Sequence, residues 1–236
     1  MFSMNAREKL DLSAYFVVGP ENASKRSVAE LVLDVVEAGF TCVQIRSKTA
    51  SARELIRLTG EAADAIAKAG KGDKVTLLVN DRLDVVLAAL KAGISVDGIH
   101  VGQADIPVEV CRAYLGDALV VGLSARTEEC APYLQTADVR QIDYFGIGPL
   151  RETATKPDCG LGSEGKIILK SLEDLSELAK ISPLPLVVGG GVKPSDLPRL
   201  AETGVGGFFV VTAISEAENP KAAALQMVEA WNAHRP

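Results

Sequence analysis

Eight short apolar runs, each followed by a stretch of helical character, constrain this chain of 236 residues more than any other feature. The runs are Ala14–Val18, Thr41–Arg46, Val75–Val79, Gly98–Val101, Ala118–Val121, Asp143–Ile147, Leu186–Val188 and Gly207–Val211. They are near-continuous and rich in β-branched residues rather than alternating, as expected of strands buried on both faces. Helices are predicted between them, over Ser27–Ala38, Ser51–Ala69, Arg82–Lys91, Val108–Tyr114, Thr127–Leu134, Leu172–Lys180, Ser195–Glu202 and Lys221–Ala233. Ser27 with Glu30 three residues on forms a capping box, and Gly39, Gly70 and Gly93 mark helix ends. Strands alternating with helices predict parallel βαβ units. Eight units in this length predict an α/β fold, one (β/α)8 TIM barrel spanning 1–236 as a single domain. A doubly wound open sheet is the alternative, but its G-x-G-x-x-G signature after the first strand is absent.

Charge and cysteine use narrow the partners. The net charge of −6 argues against nucleic acid or an anionic membrane as the main partner, while leaving room for a small anionic substrate in a local basic site. Cys42, Cys111, Cys130 and Cys159 form no C-x-x-C pair, so they read as small packed residues in a reducing cytoplasm rather than a zinc or redox centre. The N-terminal stretch mixes charges into its apolar residues and predicts no signal peptide. No run of about 20 apolar residues exists to span a bilayer. Oligomeric state stays open, a homo-oligomer included.

In a barrel of this kind, chemistry sits at the C-terminal strand ends and in the loops that follow. After the second strand, Gln44 and Arg46 share a face by alternation and Lys48 stands just beyond. Arginine grips phosphate in a bidentate manner and lysine acts as a point charge; the bland alternative is solvated loop charge. Asn80 and Asp81 follow the third strand, and His100 and Asp105 the fourth. Two carboxylates at neighbouring strand ends make a hard-cation site suited to magnesium; the bland alternatives are a helix cap for Asp105 and a cap or salt-bridge partner for Asp81. Ser124, after the fifth strand, offers a hydroxyl to a phosphate or caps the next helix. The 148–166 connection is long and polar, and its Thr153, Thr155 and Lys156 form a candidate anion clamp. Gly190 and Gly191 after the seventh strand, and Val211 and Thr212 after the eighth, sit where this fold usually cradles a phosphate.

Taken in order, Q-I-R-S-K at 44–48, V-N-D at 79–81, D-G-I-H-V-G-Q-A-D at 97–105 and G-L-S-A at 122–125 resemble thiamine-phosphate synthases. G-I-G-P-L-R-E-T-A-T-K at 146–156, G-G-V at 190–192 and V-V-T-A-I at 210–214 extend the resemblance over almost the whole barrel. It implies a transferase that joins a hydroxymethylpyrimidine diphosphate to a thiazole phosphate, releasing diphosphate. It implies that Gln44, Arg46, Lys48, Asn80, Ser124 and Lys156 hold the pyrimidine diphosphate, with Arg46, Lys48, Ser124 and Lys156 acting in catalysis. Asp81 and Asp105 are implied to bind Mg2+. Thr153, Thr155, Gly190, Gly191, Val211 and Thr212 are implied to hold the thiazole phosphate. The chain departs from the family pattern at Ser47, where the family usually has Glu, at Arg126, where it usually has His, and at Thr212, where it usually has Ser.

Two rivals remain from the residues. A sugar-phosphate epimerase or isomerase on the same fold needs an acid–base pair such as His100 with Asp81. A non-catalytic thiazole-phosphate-binding regulator needs only the glycine cradle. Neither uses Gln44, Arg46 and Lys48 together.

Overall fold

The computed structural model describes residues 5–23, 25–153 and 160–235. Among them a closed barrel of parallel strands runs β1 (Ala14–Val18), β2 (Cys42–Ile45), β3 (Thr76–Asn80), β4 (Gly98–Val101), β5 (Val120–Ser124), β6 (Tyr144–Ile147), β7 (Leu186–Val188) and β8 (Gly207–Val210), with β8 pairing back to β1. The helices are α1 (Val28–Glu37), α2 (Ala52–Lys68), α3 (Leu83–Lys91), α4 (Val108–Leu115), α5 (Cys130–Thr136), α6 (Leu172–Ile181), α7 (Leu197–Ala201), α8 (Thr212–Ser215) and α9 (Pro220–Asn232). The predicted (β/α)8 barrel is what the chain forms. No helix among the described residues is long and apolar enough to cross a membrane.

Local signals explain the helix ends. The Ser27 hydroxyl accepts from the Glu30 amide at 3.2 Å, and the Glu30 carboxylate accepts from the Ser27 amide at 2.7 Å. Ser171 and Asp174 make a second such box at the start of α6. Gly39, Gly70 and Gly93 leave their helices at φ of 107°, 67° and 78°, a region that costs glycine little.

Apolar side chains sort into two clusters because each strand shows one face inward and one outward. The larger cluster lies between barrel and helices and includes Phe16, Val43, Leu77, Ile99 and Phe145. The smaller fills the barrel itself and includes Tyr15, Cys42, Leu78, Val120, Tyr144 and Val187. Inward glycines accept the large rings. A Cβ on Gly122 would lie 2.2 Å from Tyr144 Cζ, and one on Gly189 would lie 2.0 Å from Phe209 Cζ.

Several expected boundaries shift. The fifth strand, expected at Ala118–Val121, is Val120–Ser124. Gly122 does not end it, because the missing side chain is what lets Tyr144 fit. The third strand extends to Asn80. The second stops at Ile45, so Arg46 stands one residue beyond it. The helix expected over Thr127–Leu134 begins at Cys130, after Glu129 takes a left-handed φ of 49°. The helix expected over Ser195–Glu202 is a 3-10 turn, Pro194–Asp196, followed by α7.

Candidate active site

A cavity of about 1240 Å³ opens over the C-terminal ends of the strands. From β2 and its loop come Gln44, Arg46 and Lys48; from β3, Asn80 and Asp81. His100 and Asp105 enter from β4 and its loop, and Ser124 from the end of β5. Thr153, Gly190, Gly191, Val211 and Thr212 line the opposite side. Every candidate among the described residues therefore faces one space. Thr155 and Lys156 lie outside the described residues.

The Arg46 guanidinium has no hydrogen-bond or ion-pair partner among the described residues, although the residue is half-buried. A guanidinium carries five donors in a fixed fork and never loses its charge. A half-buried cation that reaches nothing among the described residues is suited to an anion from outside. Asn80 is buried at 8% exposure and likewise makes no side-chain hydrogen bond to a described residue.

Lys48 is not free. Its Nζ pairs with Asp81 Oδ2 at 2.5 Å, a contact that joins the loops after β2 and β3. Asp81 holds a left-handed φ of 61°, which aspartate tolerates better than most residues, and its amide donates to the His100 carbonyl at 2.8 Å. The Asp105 carboxylate accepts from the Gly102 amide at 2.8 Å. It closes its own turn and does not cap α4, whose N-cap is Pro107. The hydroxyl of Ser124 lies 3.0 Å from His100 Nε2, so it belongs to the barrel interior rather than to a helix cap.

The loop bearing Arg46 and Lys48 is held from β1's side by a residue the sequence did not flag. The Glu21 carboxylate accepts from Ser47 Oγ at 2.5 Å, Thr49 Oγ1 at 2.9 Å and the Lys48 amide at 3.2 Å. Burial raises the Glu21 carboxyl, but the Ser47 and other hydrogen bonds outweigh it and hold it below the ordinary range. Gly19 completes the contact: a Cβ there would lie 1.8 Å from the Arg46 carbonyl. Ser47 thus has a partner in this chain that accounts for a serine at that position.

On the far side, Arg151 grips Asp196 through two hydrogen bonds of 2.6 and 2.7 Å and donates to the Gly191 carbonyl at 3.0 Å. This pair ties the loop after β6 to the turn after β7. Hydrogen bonding between them raises Arg151 and, against the burial of Asp196, lowers that carboxyl. Gly190 and Gly191 sit at φ of 78° and 75°. A Cβ there would meet Pro149 Cβ at 2.4 Å and Arg151 Cβ at 2.8 Å. The amides of Gly190, Gly191 and Val192 donate to no described residue. Arg126 stacks over the Tyr133 ring, 5.0 Å from its centroid, at the cavity wall.

The described thiols are poor nucleophiles. Cys42, Cys111 and Cys130 are buried and unpaired; burial pushes Cys111 up to about 11 and raises the other two. His100 and Asp81, the pair an epimerase would use, are turned to different partners: the Asp81 carboxylate pairs with Lys48, while the His100 ring nitrogens lie 2.8 and 3.0 Å from the Tyr144 and Ser124 hydroxyls.

The family profile described as thiamine monophosphate synthase matches residues 14–214. A thiamine-phosphate synthase from Corynebacterium efficiens is 37% identical over 95% of this chain and 97% of its own length. One from Vibrio parahaemolyticus is 35% identical over 90% of this chain and 96% of its own. A solved thiamine phosphate pyrophosphorylase from Pyrococcus furiosus superposes with a TM-score of 0.75 at 26% identity, covering 97% of this chain and 98% of that one. With the profile running from the first strand to just beyond the last, the chain belongs to the thiamine monophosphate synthase family.

Proposed function

We propose that the chain joins 4-amino-2-methyl-5-(diphosphooxymethyl)pyrimidine to 4-methyl-5-(2-phosphooxyethyl)thiazole, giving thiamine phosphate and diphosphate. The observation that carries this reading is the Arg46 guanidinium, without a partner among the described residues and set in one cavity with Gln44, Asn80 and Ser124. Diphosphate leaves the pyrimidine methylene with the bonding electrons, and the thiazole nitrogen attacks the electron-poor carbon. An aminopyrimidine ring can spread the positive charge, so the protein supplies orientation and charge stabilisation rather than a nucleophile. Arg46, Lys48, Ser124 and Lys156 meet the departing diphosphate. Thr153, Thr155, the glycine turn and the Val211–Thr212 segment take the thiazole phosphate. The reading places the enzyme in the cytoplasm, acting on two small molecules.

Asp81 and Asp105 fit magnesium. They come from neighbouring strand ends and line the same cavity. Magnesium suits such a sparse set, because it fills its remaining positions with phosphate oxygens and water. When bound, it neutralises charge on the diphosphate. Asp105→Asn is expected to raise the magnesium concentration needed for half-maximal rate by about tenfold or more; an unchanged magnesium titration removes Asp105 from the metal site.

Glu21 acts at one remove, by fixing the loop that carries Arg46 and Lys48. Glu21→Ala is expected to raise KM for the pyrimidine diphosphate about fivefold, matching the loss of roughly 1 kcal/mol of hydrogen bonding, with a smaller change in kcat. Steady-state kinetics with each substrate varied in turn checks this; an equal rise in KM for the thiazole phosphate contradicts it. The reading as a whole is tested by mixing both heterocycles and magnesium with the protein. Thiamine phosphate by mass, with one diphosphate per product, supports it, and the absence of thiamine phosphate from the complete mixture overturns it.

A further inference from the structure

A continuous chain of side-chain hydrogen bonds crosses the inside of the barrel beneath the cavity. Gln44 Nε2 donates to the Tyr15 hydroxyl at 2.7 Å. The Tyr15 and Tyr144 hydroxyls are 3.0 Å apart. The Tyr144 hydroxyl lies 2.8 Å from His100 Nδ1, and His100 Nε2 lies 3.0 Å from Ser124 Oγ. Tyr15, Tyr144 and Gln44 are all buried, at 3% exposure or less. The barrel is shaped for this chain: Gly122 leaves room for Tyr144, and a Cβ on Gly146 would lie 3.1 Å from His100 Cε1.

Donor chemistry gives such a chain a direction. We propose that its protons run one way, from Gln44 to Ser124, so that His100 carries its proton on Nε2 and positions the Ser124 hydroxyl as a donor to the diphosphate. The proposal rests on the diphosphate reading above for its last step only. An amide N–H can only donate, so the Tyr15 oxygen is already accepting. Its own proton then goes to the Tyr144 oxygen; the adjacent Cys42 sulfur is a much weaker acceptor. Burial pushes both phenols well above their ordinary range, so both keep their protons. Tyr144 therefore donates to His100 Nδ1. A neutral imidazole that accepts at Nδ1 donates at Nε2, and Ser124 Oγ is what Nε2 meets. Having accepted, the Ser124 hydroxyl keeps its proton for an oxyanion. In the opposite order Ser124 spends that proton on His100 and shows the diphosphate only lone pairs. Tyr15, Tyr144 and His100 are thus positioning residues that act through Ser124.

The chain has two histidines, His100 and His234, which makes the tautomer directly readable. In 15N-histidine-labelled protein without substrate, with His234→Gln for assignment, His100 is expected to show a protonated Nε2 and a bare Nδ1. Tyr144→Phe is expected to lose that single pattern and give mixed tautomers. A protonated Nδ1 in the unaltered protein, as the reversed tautomer or as imidazolium, overturns the proposal, as does an unchanged pattern in Tyr144→Phe. Kinetics test the last step. Ser124→Ala and His100→Leu are each expected to lower kcat about 10- to 100-fold, and the double variant no further than Ser124→Ala alone. His100→Gln, which keeps a donor N–H near the Nε2 position, is expected to recover most of the loss. Fully multiplicative losses in the double variant overturn the coupling. Because the spectrum needs no substrate, a chain that forms no thiamine phosphate can still pass or fail it, which separates this proposal from the reading it extends.

Discussion

Arg46→Ala is expected to lower kcat/KM for the pyrimidine diphosphate by about 10³-fold, the scale seen when one preorganised donor to a developing negative charge is removed. The expectation is large because Arg46 is half-buried and spends none of its donors on the described protein. For the same reason the fold should barely notice the change. With no ion pair or hydrogen bond to break, stability should shift by about 0.5 kcal/mol or less. Arg46→Lys should recover only part of the rate, since an ammonium keeps the charge and loses the bidentate fork. Steady-state kinetics beside a thermal melt checks this. A variant that melts normally and turns over normally removes Arg46 from the diphosphate site.

Gly122→Ala acts through packing. The added Cβ would fall 2.2 to 2.4 Å from two ring carbons and the hydroxyl oxygen of Tyr144, inside the barrel. Overpacking of this kind costs roughly 1–3 kcal/mol, which lowers Tm by about 3–10 °C in a domain of this size. Activity should fall with it, because Tyr144 cannot move without opening its 2.8 Å contact to His100. Gly72→Ala is the control: nothing lies within 4 Å of a Cβ there, and its Tm should move by about 1 °C or less. A Gly122→Ala protein that melts like this control would mean that Tyr144 packs elsewhere.

Much of the site was legible because barrel chemistry is confined to strand ends. Once the eight apolar runs were placed, Arg46, Asp81, Asp105 and Ser124 followed from position alone, and all four line the cavity. What escaped has a common physical cause. Strands buried on both faces carry no polar–apolar alternation, so nothing marks Tyr15 in AYFVV or Tyr144 in DYFGI as facing inward rather than outward. Their meeting joins residues 129 apart in sequence. Gly122 reads as a strand end because glycine usually punctuates, whereas here it makes space. Glu21 sits in a 3-10 turn, Pro20–Asn22, too short to carry a period, and its bonds to Ser47 and Thr49 bridge the ends of β1 and β2, which only the pairing of those two strands brings together. The four-residue helix Thr212–Ser215 is too short to carry any period.

The central claim is that diphosphate is recognised at one rim by Arg46, with Asp81 and Asp105 as the residues that would hold magnesium. Calorimetric titration of inorganic diphosphate, with and without magnesium, tests it most directly on the unaltered protein and on Arg46→Ala. Binding should need magnesium and should weaken by about 30-fold or more in the variant. Equal affinity in the two proteins, or binding indifferent to magnesium, contradicts it.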